Sequence, residues 1–165
     1  QEALTTCRER ITAMLAMAGR QRLEAGQAED PAALLARVIA DYGISAPKLE
    51  VTIADRRQGP SRMLSDVLIE VALLNLFDNA REAGAQRVTV TLDQDAGSVV
   101  MSVADDGPGF PATMLADQGA ASGGLGLMLV RAALRRMGGS MTLANGTEGG
   151  GAEVRLALPL VAAGG

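Results

Sequence analysis

The sequence predicts an α+β fold in which helices cover one face of a sheet built mainly from antiparallel strands. Three observations point there. Apolar residues recur at helical spacing through residues 31–42 and 62–83, they alternate through residues 87–92 and 98–104, and the two patterns interleave along the chain. At 165 residues the chain suits one domain with a short extra element beside it. Hydrophobic residues make up 48 % but aromatics only 2 %, so the core must be aliphatic, built from Leu, Val, Ile, Met and Ala.

The elements follow in order. Residues 2–24 lack Pro, and Leu4, Ile11, Leu15 and Ala18, with Met14 nearby, fall at three-, four- and seven-residue spacings, which predicts an amphipathic helix with a packing seam. Gly26 breaks that pattern. Asp30 and Pro31 then suit an N-cap and first helical position for a helix to about Tyr42, stopped by Gly43. Leu49, Val51 and Ile53 alternate with Glu50 and Thr52, a half-buried strand ending before the turn-rich residues 55–60. Residues 62–83 are apolar on most faces and predict a central helix packed against the sheet. Residues 87–92 and 98–104 form a hairpin through Asp95, Ala96 and Gly97. A glycine-rich loop over 107–126, a helix over 127–137 and two closing strands at 140–144 and 152–158 complete the chain.

Several classes are disfavoured. The longest mostly apolar stretch, from Val67 to Phe77, is broken by Glu70 and Asn75 and is shorter than the roughly 20 residues that cross a bilayer. Fifteen Lys and Arg against nineteen Asp and Glu give a net charge of −4, with no basic patch interleaved with aromatics, so nucleic acid is not an expected partner. Cys7 is the sole cysteine and cannot form an internal disulfide; it reads as a small helix hydrophobe, and suits a reducing cytoplasm or a cysteine-poor secreted domain.

Three groups of residues carry chemistry. Asn75 and Asn79 lie four apart in an otherwise apolar helix, so both amides leave one face a turn apart. Such amides can bond neighbouring backbone, or can offer the hard neutral oxygen that Mg²⁺ accepts when nucleotide phosphates and waters complete its shell; the pair alone leaves both uses open. Asp105, Asp106, Gly107, Pro108, Gly109 and Phe110 follow directly on a strand. A carboxylate there can accept from the exocyclic amine of adenine, with glycines letting backbone approach the ring, although a β-turn would present the same residues. Ser122, Gly123, Gly124, Leu125, Gly126 and Leu127 open a helix whose backbone N–H groups and dipole suit phosphate oxygens.

Taken jointly, these motifs resemble the catalytic ATP-binding domain of sensor histidine kinases. Asn75 to Ala80 resembles the family's N box, Asp105 to Gly109 its first glycine box, Gly124 to Leu127 its second, and Gly149 to Pro159 its closing glycine turn and strand. The likeness covers roughly residues 30–160, in matching order and spacing. It implies the Bergerat fold of the GHKL ATPases, a two-layer α/β sandwich with a mixed, mostly antiparallel sheet covered by helices on one face. It also implies ATP and Mg²⁺ as ligands, with Asn79 as the Mg²⁺ ligand, Asn75 beside the phosphates and Asp105 on the adenine amine. Gly107 and Gly109 would shape the base pocket, and Gly123, Gly124, Leu125, Gly126 and Leu127 would meet the phosphates at the end of a lid running over residues 111–123. In gyrase-type relatives the Asn75 position is Glu, a general base for water attack, so an amide there favours phosphotransfer over hydrolysis.

The pattern departs from the family at three places. Glu82 and Ala83 stand where many kinases carry Lys and an aromatic, the lid lacks a recognisable phenylalanine box, and Ser122 replaces a common first glycine. Arg81 can supply the missing charge or simply solvate a helix end; both readings stand. There is no histidine in the chain, so it holds no phosphoacceptor. We expect a truncated or engineered fragment in which residues 1–25 resemble the second helix of the dimerisation hairpin. The expected partners are the histidine-bearing hairpin of the same kinase, a response-regulator receiver domain and a second copy through residues 2–24. The expected location is cytoplasmic, including the cytoplasmic part of a membrane-anchored sensor. Rival readings are a catalytically silent nucleotide-sensing module and an anti-sigma serine kinase of the same superfamily.

Overall fold

The computed structural model describes residues 27–117, 124–146 and 150–162. The helix expected over residues 2–24 and the last part of the expected lid lie outside them. The described chain opens with a two-residue strand, β1 (Ala28–Glu29), followed by α1 (Pro31–Ser45), β2 (Glu50–Asp55), β3 (Met63–Leu64) and α2 (Val67–Glu82). The hairpin β4 (Arg87–Gln94) and β5 (Ser98–Asp105) comes next, then a short α3 (Ala112–Ala116), α4 (Gly124–Arg136), β6 (Ser140–Asn145) and β7 (Ala152–Pro159).

Five strands form one sheet in the order β2-β4-β5-β7-β6, with β2 parallel to β4 and every other pair antiparallel. This is the mixed, mostly antiparallel sheet the resemblance implies. Alternation sorts its side chains. Val88, Val90 and Leu92, Val99, Met101 and Val103, and Val154, Leu156 and Leu158 are all buried in one core with Leu34, Leu35, Leu73, Phe77, Val130 and Leu134 of the helices. Thr89, Thr142 and Arg155, on the opposite parity, are exposed. The helices therefore cover one face. A second, two-stranded ladder pairs β1 with β3, Ala28 opposite Leu64 and Glu29 opposite Met63.

The boundaries differ from expectation for identifiable reasons. Gly43 does not stop α1, which continues to Ser45; its cap is Ala46, whose N–H reaches the Tyr42 carbonyl at 2.9 Å and whose non-helical backbone is what a following proline favours. α2 begins at Val67 and not near residue 62, because Met63 and Leu64 are taken by the β1 ladder and Asp66 caps the helix by accepting from the Leu68 N–H at 2.8 Å. Ile53 is 37 % exposed because β2 is an edge strand. The glycine-rich stretch is not all loop: it holds α3, and α4 begins at Gly124, three residues before the expected start.

Arginines tie the first described residues to the helices. Arg37 on α1 pairs with Glu29 of β1 at 3.0 Å and with Glu70 in the first turn of α2, and the Ser65 hydroxyl donates to Glu29 at 2.8 Å. Arg57, its side chain 6 % exposed, bonds Asp55, Asp30 and Ser61. Among the described residues no helix is long and apolar enough to cross a membrane.

Candidate functional site

The alternation that builds the sheet also aims Asp105. Val99, Met101 and Val103 point into the helix layer, so Asp105, two residues on, leaves the same face of β5 where the strand ends. Its Oδ1 accepts from the Gly107 N–H at 2.8 Å and the Ala152 N–H at 3.2 Å. Both bonds fall on Oδ1, so Oδ2 keeps its lone pairs for another donor. Asp106 leaves the opposite face; its Oδ1 accepts from the N–H groups of Arg87 and Gln86, at 3.0 and 2.8 Å, and these bonds hold its carboxyl below the usual carboxylate range.

A cavity of about 100 Å³ opens beside Asp105, lined by Leu76, Asn79, Ala80 and Ala83 of α2, Val103 and Asp105 of β5, Gly109 and Phe110, Leu127 of α4, and Ala152 and Val154 of β7. The structure thus brings Asn79, Asp105, Gly109 and Leu127 around one space, although they lie far apart in sequence. Its wall is mostly apolar, with an amide on one side and a carboxylate on the other.

The remaining predicted residues that the structure describes do not line this cavity. Gly107 sits against Asp105, where a Cβ would stand 3.0 Å from Oδ1. Gly126 lies at the opening of α4 with its missing Cβ 3.4 Å from both amide atoms of Asn79, so the glycine lets α4 close on that side chain. Gly124 starts the helix in the left-handed region, φ +70°, and Leu125 is 44 % exposed. Gly123 lies outside the described residues. Asn75, one turn before Asn79, is 8 % exposed, and its Nδ2 is buried with no hydrogen-bond partner. A donor left so costs about 1–3 kcal/mol, which an oxygen-rich ligand would recover. Arg81 points elsewhere, to Asp78 at 3.3 Å and toward Tyr42, whose hydroxyl donates to Asp78 at 3.1 Å and is pushed up by burial.

Among the described residues no cluster of three His, Cys, Asp or Glu could hold a metal. One amide oxygen at the cavity suits instead a Mg²⁺ that brings most of its ligands with it, as phosphates and water.

Part of the wall has no role assigned from sequence, although Phe110 ends the motif that begins at Asp105. Phe110 lines the cavity, and its backbone is held by Asn145. Ala152 and Val154 come from the far end of the chain. The inward parity of Val103 and Val154 was legible as strand alternation, but nothing local marks which strands are neighbours. Ala83 does line the cavity, so no ring comes from that position.

Residues 65–162 match the family described as "Histidine kinase-, DNA gyrase B-, and HSP90-like ATPase". Similar solved structures include the ATP-binding domain of PrrB from Mycobacterium tuberculosis, 25 % identical with a TM-score of 0.67 over 81 % of this chain and 96 % of that one. The mycobacterial sensor histidine kinase MprB is 22 % identical, TM-score 0.64, over 82 % and 97 %. Full-length ShkA, solved in complex with AMPPNP, is 28 % identical, TM-score 0.66, over 85 % of this chain and 32 % of that larger one. No curated protein matches the chain.

Proposed function

The chain belongs to the histidine kinase-, DNA gyrase B-, and HSP90-like ATPase family, and from that premise we propose that it is the ATP-binding catalytic domain of a sensor histidine kinase, which transfers the γ-phosphate of Mg-ATP to a histidine on another polypeptide segment. The observation that carries this reading is the cavity with Asp105 on one wall and Asn79 on the other. Similarity to ShkA, solved with a nucleotide analogue, supports it.

In this proposal each residue has a defined task. Oδ2 of Asp105 accepts from the adenine amine, while Oδ1 stays tied to Gly107 and Ala152. Gly107 and Gly109 shape the base pocket, Gly107 by leaving Asp105 Oδ1 uncrowded and Gly109 by fitting its turn against Asn145 and Gly150. The buried Nδ2 of Asn75 donates to a phosphate oxygen. Asn79 offers its amide oxygen to Mg²⁺, which supplies neutralisation of the phosphate charge when bound. The first turn of α4, with Gly124, Leu125, Gly126 and Leu127, presents backbone N–H groups and the positive end of its dipole to the phosphates. Arg81 adds charge there only by leaving Asp78. The transfer itself breaks the bond between the γ-phosphorus and its bridging oxygen, forms a bond to a histidine nitrogen and releases ADP, so the domain acts by positioning and electrostatics. The acceptor would come from the histidine-bearing hairpin of the same kinase, and the receiver domain of a response regulator would take the phosphate onward. Residues 2–24 would pair with a second copy, and the domain would work in the cytoplasm.

The test is titration calorimetry of Mg-ATP into the chain and its Asn79→Ala variant. We expect the variant to bind about tenfold more weakly, from the loss of a contact to a charged group; equal binding removes Asn79 from the metal role. Glu82 and the ring-free Ala83 favour one rival, a nucleotide-sensing module without transfer. Labelled ATP mixed with the chain and a histidine-bearing hairpin decides between them, since binding without label on the hairpin supports the rival.

A further inference from the structure

We propose that Asn145 is a positioning residue for the nucleotide base, holding one wall of the cavity through the backbone of Phe110; the inference rests on the reading of that cavity as a nucleotide site. Asn145 does not line the cavity. It ends β6, 35 residues from Phe110, yet its Oδ1 accepts from the Phe110 N–H at 2.7 Å and its Nδ2 donates to the Phe110 carbonyl at 2.9 Å. A single carboxamide thus makes the two bonds that a neighbouring strand residue would make through its backbone.

The surroundings show how tightly that wall is set. Gly109 takes φ +81°, and a Cβ on it would meet Gly150 O at 2.1 Å and Asn145 Oδ1 at 2.9 Å. The turn is therefore wedged between Asn145 and Gly150. Asn145 is also the register partner of Ala152, whose N–H donates to Asp105 Oδ1 at 3.2 Å. One rung of the β6–β7 ladder therefore carries both walls of the base pocket, Phe110 through the Asn145 side chain and Asp105 through the Ala152 backbone. The spacing between the ring and the carboxylate is fixed before any ligand arrives, which is what selective recognition of a flat base needs. Only an amide of this length serves: a carboxylate would set an oxygen against the Phe110 carbonyl, and a methyl would leave both Phe110 groups unbonded.

The experiment compares the chain with Asn145→Asp and Asn145→Ala, measuring affinity for Mg-ADP and for inorganic triphosphate with Mg²⁺, and amide hydrogen exchange at Phe110. We expect Mg-ADP binding to weaken about tenfold in both variants, triphosphate binding to hold within about twofold, and the Phe110 amide to exchange faster. Variants that bind Mg-ADP as the parent chain does overturn the proposal. So does an equal loss of both ligands, because a merely structural residue would act on the whole fold and not on the base side alone. A parent chain that fails to bind Mg-ADP brings down the nucleotide reading itself, and this inference with it, an outcome distinct from the failure of the variants alone.

Discussion

At Gly151 the chain leaves no room for a side chain: a Cβ there would stand 1.7 Å from the Asp105 carbonyl oxygen and 2.7 Å from its carbon. Both are backbone atoms, so neither can swing aside. Gly151→Ala should therefore lower the unfolding free energy by about 1–3 kcal/mol, as overpacking does, and should weaken nucleotide binding because Asp105 must shift. Gly97→Ala, where a Cβ meets nothing within 4 Å, serves as the control; denaturant unfolding of the two variants measures the difference, and equal midpoints would contradict the close approach. Residues of this kind were unequally legible. Asp105 could be found because the parity of Val99, Met101 and Val103 carries straight into it. Asn145 could not, since an Asn before Gly at a strand end reads as turn chemistry, and its partner Phe110 is remote in sequence.

At the scale of elements, α2 shows why helix starts are hard to read. Met63 and Leu64 extend the apolar pattern backwards, and only pairing with β1 removes them from the helix. The start signal is Asp66, and its loss by Asp66→Ala should cost about 1 kcal/mol, the usual worth of a side-chain cap. Asp30→Ala should cost more. Asp30 accepts from the Ala32 N–H at 2.7 Å as the cap of α1, and it also takes the nearly buried guanidinium of Arg57 at 3.2 Å. Thermal unfolding of the two variants tests the order, and a larger loss from Asp66→Ala would show that the Arg57 contact adds nothing to the Asp30 cap. The end of α1 carries a parallel lesson. Gly43 looked like the stop but helix geometry tolerates it, whereas the backbone of Ala46, set by Pro47, does end the helix.

For the whole molecule the decisive property is that the helices cover a single face of the sheet. Neighbouring residues of β5 should then differ sharply: Met101→Ala empties a fully buried site and should cost about 2–5 kcal/mol, while Val100→Ala, on the open face, should cost about 1 kcal/mol or less. Urea unfolding compares them, and similar losses would mean that the second face is also covered. This one-sidedness was legible in the alternation of residues 87–92 and 98–104, as was the hairpin they form. The sheet order was not: period two tells which face a side chain takes but not which strand lies beside it, so β2 against β4 and β5 against β7 came only from the structure. The tie between Glu29, Arg37 and Glu70 has a mechanical side. A tug on the backbone at Gln27, whose carbonyl accepts from the Ser65 N–H at 2.8 Å, loads the β1–β3 rungs in shear. Through Arg37 the same load leans on the first turn of α2. That helix is a stiff rod of 16 residues, about 24 Å long, with Asn79 near its far end. One rigid element thus carries an anchor to the start of the described chain near one tip and the amide of the cavity near the other.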